Sequence, residues 1–183
     1  MNVKKSILCF VLAIVGVIAN AASISGNLTD DSARLNVSIS AEPFIFEAGG
    51  VYASERGKSG YAGIMIESKA EPIEIGIGVR FRVVEGEFGD NDSGYSTGFG
   101  GYYRYIFPTA NRFSFYLSGY YYPELLSYES IERQYEMESR IEYFSTENAR
   151  LYISYNINAI DYVDMDDTFR LEEDVNLGVG VYF

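Results

Sequence analysis

The sequence predicts an all-β protein, a transmembrane up-and-down antiparallel β-barrel of about ten strands. Three observations predict it: an export segment at the N-terminus, alternating apolar and polar residues along most of the remaining chain, and polar faces rich in Gly, Ser, Asn and Tyr. Strict alternation is typical of a strand with one apolar and one polar face. Membrane barrels turn apolar side chains to lipid and polar ones to the lumen. A soluble barrel or sandwich is the alternative.

Residues 1–21 have the order of regions found in a secretory signal peptide. The regions are a positive start with Lys4 and Lys5, an apolar run at 7–18, and small cleavage-site residues at Ala19 and Ala21. The apolar run is shorter than the roughly 20 residues of a transmembrane helix, so a membrane anchor is the less favoured alternative. The sequence therefore predicts a signal peptide at 1–21 and one barrel domain at 22–183.

Alternation is clearest at 72–84, PIEIGIGVRFRVV, where every second residue from Ile73 to Val83 is apolar and the residues between are mainly Glu, Gly and Arg. A helix would need apolar residues three and four positions apart, which this run lacks. The same pattern recurs at 35–41, 96–107, 113–118, 151–158 and 175–183.

Nine alternating runs begin near residue 33, and 23–29 supplies a tenth, short strand before a tight turn at 30–32. Ten strands satisfy the even count of outer-membrane barrels, and eight is the alternative if 33–53 is not two full strands. Short connections are predicted at 41–43, 70–72, 108–111 and 145–148, and long ones at 54–60, 85–94, 124–130 and 161–174.

Aromatic residues cluster at the ends of these runs, where the aromatic girdles of a membrane barrel lie. The predicted girdle residues are Tyr105 and Phe107, Phe113 and Phe115, Tyr120 to Tyr122, and Tyr143 and Phe144.

The last run, VNLGVGVYF, resembles the C-terminal assembly signal of Gram-negative outer-membrane barrels, with Val179, Val181, Tyr182 and Phe183 as its residues. Longer pieces resemble the YfaZ family of small outer-membrane proteins. They are GNLTDDSARL at 26–35, GIGVRFR at 76–82, GGYYRYIFP at 100–108, YYYPELLSYES at 120–130 and ESRIEYFSTENARLYISYNI at 138–157. The resemblance implies a β-barrel in the cell outer membrane, assembled by the barrel-assembly machinery, and it implies no established activity.

The polar faces carry ionisable side chains of both signs, which we take as the candidate lumen network. Its predicted members are Glu74, Arg80, Arg82, Arg104, Glu136, Glu138, Arg140, Glu142, Arg150 and Tyr152. Inside a barrel such charges must pair or face water, because an unpaired buried charge is costly. Small barrels can be filled by side chains, so a structural plug is favoured over a polar channel that selects solutes by charge.

Composition excludes several functions. The chain has 26 acidic and 14 basic residues, and so few basic side chains make nucleic acid an unsuitable partner. It has no His, and its single Cys, Cys9, lies in the predicted signal peptide, so no His- or thiol-based catalysis, metal site or cofactor is predicted. Glu136, Glu138 and Glu142 do not make a convincing acid–base pair, and an enzyme is not expected.

The last long connection is predicted to carry many acids, namely Asp161, Asp164, Asp166, Asp167, Glu172, Glu173 and Asp174. Carboxylates could hold Ca²⁺ or Mg²⁺, or meet lipopolysaccharide phosphates through such ions. Their spacing matches no ordered calcium loop, and the segment at 90–94 resembles one only weakly, so a solvated loop is favoured.

Two functions follow from these patterns. The first is a structural or surface-interaction barrel with a filled lumen, in contact with membrane lipid and lipopolysaccharide. The second is a narrow porin-like channel for small polar solutes or ions. A soluble periplasmic β-protein is the third interpretation.

Overall fold

The computed structural model describes residues 22–86, 93–163 and 167–183. The predicted signal peptide, with Cys9, Ala19 and Ala21, lies outside them. The strands are β1 Ala22–Leu28, β2 Ser32–Ala41, β3 Phe44–Ala53, β4 Gly57–Ala70, β5 Ile73–Gly86, β6 Ser93–Ile106, β7 Phe113–Tyr122, β8 Ser127–Glu129, β9 Ile131–Thr146, β10 Ala149–Tyr162 and β11 Phe169–Tyr182. A short 3₁₀ helix covers Glu124–Leu126. None of the helical structure in the described part of the chain has the length and apolarity to cross a membrane.

The strands form a closed antiparallel barrel. Each long strand pairs with the next, β7 pairs with β9, and β11 pairs back onto β1, with Ile24 opposite Val181. The short β8 attaches to the start of β6, where Tyr95 lies opposite Tyr128. The barrel therefore has ten strands, as predicted, and the alternative of eight is wrong.

Alternation places apolar side chains outside and polar side chains inside, the arrangement expected of a membrane barrel. On β11, Leu177 is 68% exposed whereas Glu172 is fully buried. On β5, Ile77 is 66% exposed whereas Arg82 is fully buried. The polar faces therefore line the lumen, and the soluble alternative, with an apolar core and a solvated polar face, is wrong.

One end of the barrel carries tight turns at 42–43, 71–72 and 147–148, and also Phe183. Because outer-membrane barrels have their short turns on the periplasmic side, we call this the periplasmic end and the opposite one the outer end. Most strands are 10 to 16 residues long, whereas β1 has 7 residues.

Three predicted long connections are shorter than the sequence indicated, and the fourth, at 124–130, contains β8. The connection predicted at 85–94 is shorter because β5 ends at Gly86 and β6 begins at Ser93. β4 begins at Gly57 and β11 begins at Phe169, so Glu172, Glu173 and Asp174 are strand residues, contrary to the prediction. Glu172 is buried because a strand facing a polar lumen can carry acids on its inner face, whereas Glu173 contacts Arg170 and Tyr155 on the outer face. Asp161 is also a strand residue, near the end of β10, and Asp167 is exposed before β11. Asp164, Asp166 and the segment at 90–92 lie outside the described residues.

The aromatic residues at the strand ends divide between lipid and lumen. At the periplasmic end the rings of Phe113 and Tyr143 are 5.2 Å apart, and Phe113 is exposed. Tyr121 is exposed at the outer end, but Tyr120 and Tyr122 are buried in the lumen, so their placement in a girdle was wrong. Consecutive strand residues point to opposite faces, so a run of three aromatic residues cannot lie wholly on the lipid side.

Candidate functional site

The candidate site is the barrel lumen, which has a different chemistry at each level. At the outer end the inward side chains are apolar. Ile160 and Leu171 are fully buried there, and they pack with Ala53, Val84, Ile131 and Tyr162. We call these six residues the apolar layer. They come from five strands, β3, β5, β9, β10 and β11, so the layer extends across the outer end of the lumen.

Beneath the apolar layer lies a belt of buried amides. The Gln134 amide nitrogen donates to the Asn158 side-chain oxygen at 2.8 Å, and the Asn156 amide nitrogen donates to Glu172 at 3.1 Å. All four side chains are fully buried. Polar groups without water must be hydrogen-bonded to be tolerated, and these bonds tie β9, β10 and β11 together.

At mid-height Glu136 is the acceptor for three arginines from two other strands. Arg34 Nη1 lies 2.9 Å from Oε1, and Arg80 Nη1 and Arg82 Nη1 lie 2.9 and 2.5 Å from Oε2. The Tyr122 hydroxyl also donates to Glu136, at 3.4 Å. Four buried donors on one carboxylate make Glu136 the centre of the mid-lumen network.

The three arginines extend this network to other strands, and Arg82 Nη2 donates to the Ser59 hydroxyl at 2.6 Å. Arg34 Nη2 is 2.5 Å from Glu172 Oε2, and Arg80 Nη2 is 2.8 Å from Glu47 Oε1. The Arg80 guanidinium carbon lies 4.1 and 3.7 Å from the ring centres of Tyr61 and Tyr120, distances typical of cation–π contacts. Paired charges and aromatic rings therefore fill the middle of the lumen.

Nearer the periplasmic end, a second carboxylate, Glu142, pairs with more than one arginine. Arg104 Nε lies 2.9 Å from Glu142 Oε2, and Arg104 Nη1 lies 2.6 Å from Glu74. Arg150 Nη1 lies 3.3 Å from Glu142, and the Ser114 hydroxyl donates to it at 2.8 Å. Arg140 Nε and Nη2 bind Glu138 in a bidentate pair at 2.6 and 2.7 Å.

Tyrosine rings lie flat against the wall where the neighbouring strand has a glycine. A Cβ at Gly178 would be 2.2 Å from the Tyr152 ring, and a Cβ at Gly76 would be 2.4 Å from the Tyr102 ring. Both pairs are directly opposite each other in the strand register. The same relationship joins Gly49 to Tyr61, Gly98 to Tyr122 and Gly100 to Tyr120. Glycine gives each ring the space to fill the lumen without clashing with the backbone.

The described residues leave space inside the lumen at two levels. A small cavity of about 20 Å³ at mid-height has room for about one water molecule. A larger one of about 480 Å³ opens at the periplasmic end, and we call it the vestibule. Its lining includes Ser40, Lys69, Arg104, Arg150, Tyr182 and Phe183.

All ten residues of the predicted lumen network have contacts within the lumen. Tyr152, the one without a carboxylate or guanidinium, lies under the Arg140 guanidinium at 4.6 Å and donates to the Gly26 carbonyl at 3.1 Å. Sequence reasoning missed four further lumen residues. Arg34 pairs with Glu136 and Glu172. Glu47 pairs with Arg80, and Glu67 contacts Lys69 and the Tyr102 hydroxyl.

Two of the missed residues differ in whether the sequence carried a signal for them. Arg34 is on the same strand face as Asn36 and Ser38, so the alternation of β2 was a usable signal for it. Glu47 shares its face with Ile45 and Val51, which are buried apolar residues, so the inner face of β3 did not look polar.

Within the described ranges, no group of three or more His, Cys, Asp or Glu side chains is arranged to hold a metal ion. The lumen carboxylates are engaged by arginine, lysine, tyrosine, serine and asparagine instead.

Comparison with solved structures returns outer-membrane proteins at low identity. The KdgM porin in complex with disordered oligogalacturonate is 12% identical, with a TM-score of 0.47, over 90% of this chain and 99% of that chain. The outer-membrane channel DcaP of Acinetobacter baumannii is 10% identical, with a TM-score of 0.46, over 91% and 60%. OmpT of Vibrio cholerae is 13% identical, with a TM-score of 0.41, over 88% and 64%.

Among curated proteins, no match was found. A family model described as YfaZ precursor matches residues 3–183, which is nearly the whole chain. Together with the closed ten-stranded barrel and its lipid-facing apolar surface, this match makes the chain an outer-membrane β-barrel that belongs to the YfaZ precursor family.

Proposed function

We propose that the protein is a non-conducting outer-membrane barrel, in which the lumen is a structural core and the two ends make the functional contacts. The observation that carries this proposal is the apolar layer at the outer end, with Ile160 and Leu171 fully buried above the amide belt. A water-filled pore needs a polar path through both ends, and apolar side chains in contact with one another leave no site for a hydrated ion.

The mid-lumen network supports the same proposal. Arg34, Arg80 and Arg82 each bond to Glu136, and all four side chains are buried. A side chain that selects a passing solute has to be free to exchange partners with it. These groups bind one another instead, which is typical of a filled barrel.

Osmotic swelling of liposomes tests the proposal directly. Vesicles that contain the folded protein and a trapped impermeant sugar are diluted into isosmotic glycine or arabinose. We expect swelling no faster than in protein-free vesicles, while a general porin reconstituted at the same density swells them. Swelling that increases with the amount of folded protein would instead support the second candidate, a narrow channel for small polar solutes.

At the outer end we propose contact with lipopolysaccharide. Exposed acids there include Asp30, Asp31, Glu55, Glu124, Glu129 and Asp167. Carboxylates and lipid A phosphates are both anionic, so divalent cations would have to bridge them. Replacing Asp30, Asp31 and Glu55 by the amides should weaken Mg²⁺-dependent binding of lipopolysaccharide micelles. Binding that is unchanged by these substitutions or by EDTA would refute this contact.

We also propose that the barrel-assembly machinery recognises β11, the C-terminal strand. Val179 and Val181 face outward along β11, and Phe183 is 57% exposed. Phe183→Ser should reduce the folded protein in cell outer membranes while the purified variant still refolds in detergent. Normal levels of folded Phe183→Ser protein in cells would contradict this role.

A further inference from the structure

Among the six lumen arginines, Arg150 has the fewest polar contacts. A guanidinium carries five N–H donors, yet for Arg150 the described residues supply one acceptor, Glu142 Oε2, at 3.3 Å. Its Nε has no hydrogen-bond partner there, although the atom is buried. By comparison, Arg104 donates to two carboxylates at 2.6 and 2.9 Å, and Arg140 binds Glu138 with two bonds.

The single acceptor of Arg150 is shared with stronger donors. Glu142 Oε2 already accepts from Arg104 Nε at 2.9 Å and from the Ser114 hydroxyl at 2.8 Å. Arg140 Nη1 also lies 3.9 Å from Glu142 Oε1. One carboxylate therefore neutralises parts of three guanidinium groups, and the Arg150 cation is the least well compensated of them.

Aromatic rings fix the position of this guanidinium. Its carbon lies 4.1 Å from the Tyr182 ring centre and 4.6 Å from the Phe144 ring centre. Rings at these distances hold a cation in place but accept no strong hydrogen bond from it. The side chain is 14% exposed and lines the vestibule, so a solute that enters from the periplasmic end reaches it.

The rest of the vestibule limits the ligand. Its volume of about 480 Å³ is within the range of small-molecule sites, and Ile45 and Met65 supply an apolar surface on its wall. The ionisable lining is balanced in charge, so the wall offers no excess positive charge to a ligand with several negative charges. Its members are the carboxylates Glu42, Glu47, Glu67 and Glu74 and the cations Lys69, Arg104, Arg140 and Arg150. A single carboxylate on a small apolar body meets all of these conditions.

We propose that the vestibule is a binding site for a small organic monocarboxylate, with Arg150 as the residue that pairs with the ligand's carboxylate. The ligand's carboxylate accepts hydrogen bonds from the Arg150 N–H groups that have no protein acceptor. The apolar body of the ligand packs near Ile45 and Met65. This inference concerns the vestibule alone and does not depend on closure of the outer end.

Isothermal titration calorimetry of the protein folded in a zwitterionic detergent tests the site with benzoate as the probe. Benzamide has the same shape without the charge, so benzoate should bind at least about tenfold more tightly, as a charge-assisted hydrogen bond requires. Inorganic phosphate should bind more weakly than benzoate. Equal binding of benzoate and benzamide, or binding of phosphate as tight as that of benzoate, would overturn the proposal.

Variants assign the site to the vestibule. Arg150→Gln should weaken benzoate binding at least about tenfold. Arg112→Gln is the matched control, because Arg112 lies in an exposed turn at the same end and does not line the cavity. Ser40→Trp fills the vestibule from β2 without changing Arg150, and it should also abolish binding. Retained benzoate affinity in a folded Ser40→Trp or Arg150→Gln barrel would refute the assignment. Conductance of the barrel is a separate readout, which tests the proposed function and not this binding site.

Discussion

Arg34 Nη1 lies 2.9 Å from Glu136 Oε1, and this buried ion pair joins β2 to β9 across the lumen. The two residues are 102 positions apart in the sequence, and four strand-to-strand steps separate them around the wall by the shorter route. Side chains that meet across a barrel occupy the space that a pore would need. In the proposed non-conducting barrel, this pair is therefore part of what closes the lumen.

Replacing Glu136 by Gln should be strongly destabilising, because Arg34, Arg80 and Arg82 would lose the charge that they share. Removing one partner of a buried pair costs about 3–5 kcal/mol. The effect is measured by urea unfolding in detergent, with the folded fraction monitored as the heat-modifiable band on gels. Glu132→Gln, on the same strand and outside this network, is the control and should change stability by less than about 0.5 kcal/mol.

Leu171→Ala should destabilise the barrel by about 2–5 kcal/mol, the usual cost of a cavity at a fully buried leucine. It should not open a conducting path, because the amide belt and the Glu136 network remain below it. Leu177→Ala is the matched control on the same strand, where the side chain faces lipid and leaves no internal cavity. A larger loss of stability at Leu177 than at Leu171 would contradict the apolar layer.

Gly178→Ala should destabilise the barrel by about 1–3 kcal/mol, because the new Cβ would lie 2.2 Å from the Tyr152 ring. That ring cannot move freely, since its hydroxyl donates to the Gly26 carbonyl and its face contacts Arg140. Gly180→Ala is the control on the same face of β11, where the nearest atoms are at 3.4 and 3.5 Å. Equal effects of the two alanines would show that ring contact is not the cause.

Arg104→Gln and Arg140→Gln distinguish a plug from a selective channel. In a plug each substitution removes a charged partner from buried carboxylates, so the thermal unfolding temperature falls. The carboxylates affected are Glu74 and Glu142 for Arg104→Gln, and Glu138 for Arg140→Gln. Conductance stays at the background level. A shift of ion selectivity in either variant would show that these arginines line a conducting path.

The alternation of residues predicted the fold because the lipid face and the lumen face of each barrel strand can be recognised from the sequence of that strand alone. Ile73 to Val83 and Val175 to Phe183 each identify a lipid face and a lumen face without any knowledge of their neighbours. Ten strands and their order then follow from the turns, since consecutive antiparallel strands pair with each other.

The lumen was predicted less completely, because its contacts join strands that are distant in sequence. Glu136 was identified as a lumen residue from its own strand, but its three arginine partners are set by the closure of the barrel. The apolar layer was not predicted at all. Leu171 lies in the segment 161–174 that was predicted as a long connection, and Ile160 follows the last predicted alternating run of β10. The shift of register between Asn158 and Ala159 in the β10–β11 ladder, which lies beside them, is visible only in the structure.

Single-channel conductance of the refolded protein in a planar bilayer, across a salt gradient, tests the central claim most directly. A silent bilayer is the predicted result, provided that the protein is shown to be folded and inserted by its gel mobility before and after heating. Steady openings with a reversal potential away from zero would contradict a closed lumen and would make the arginines and glutamates a selectivity filter.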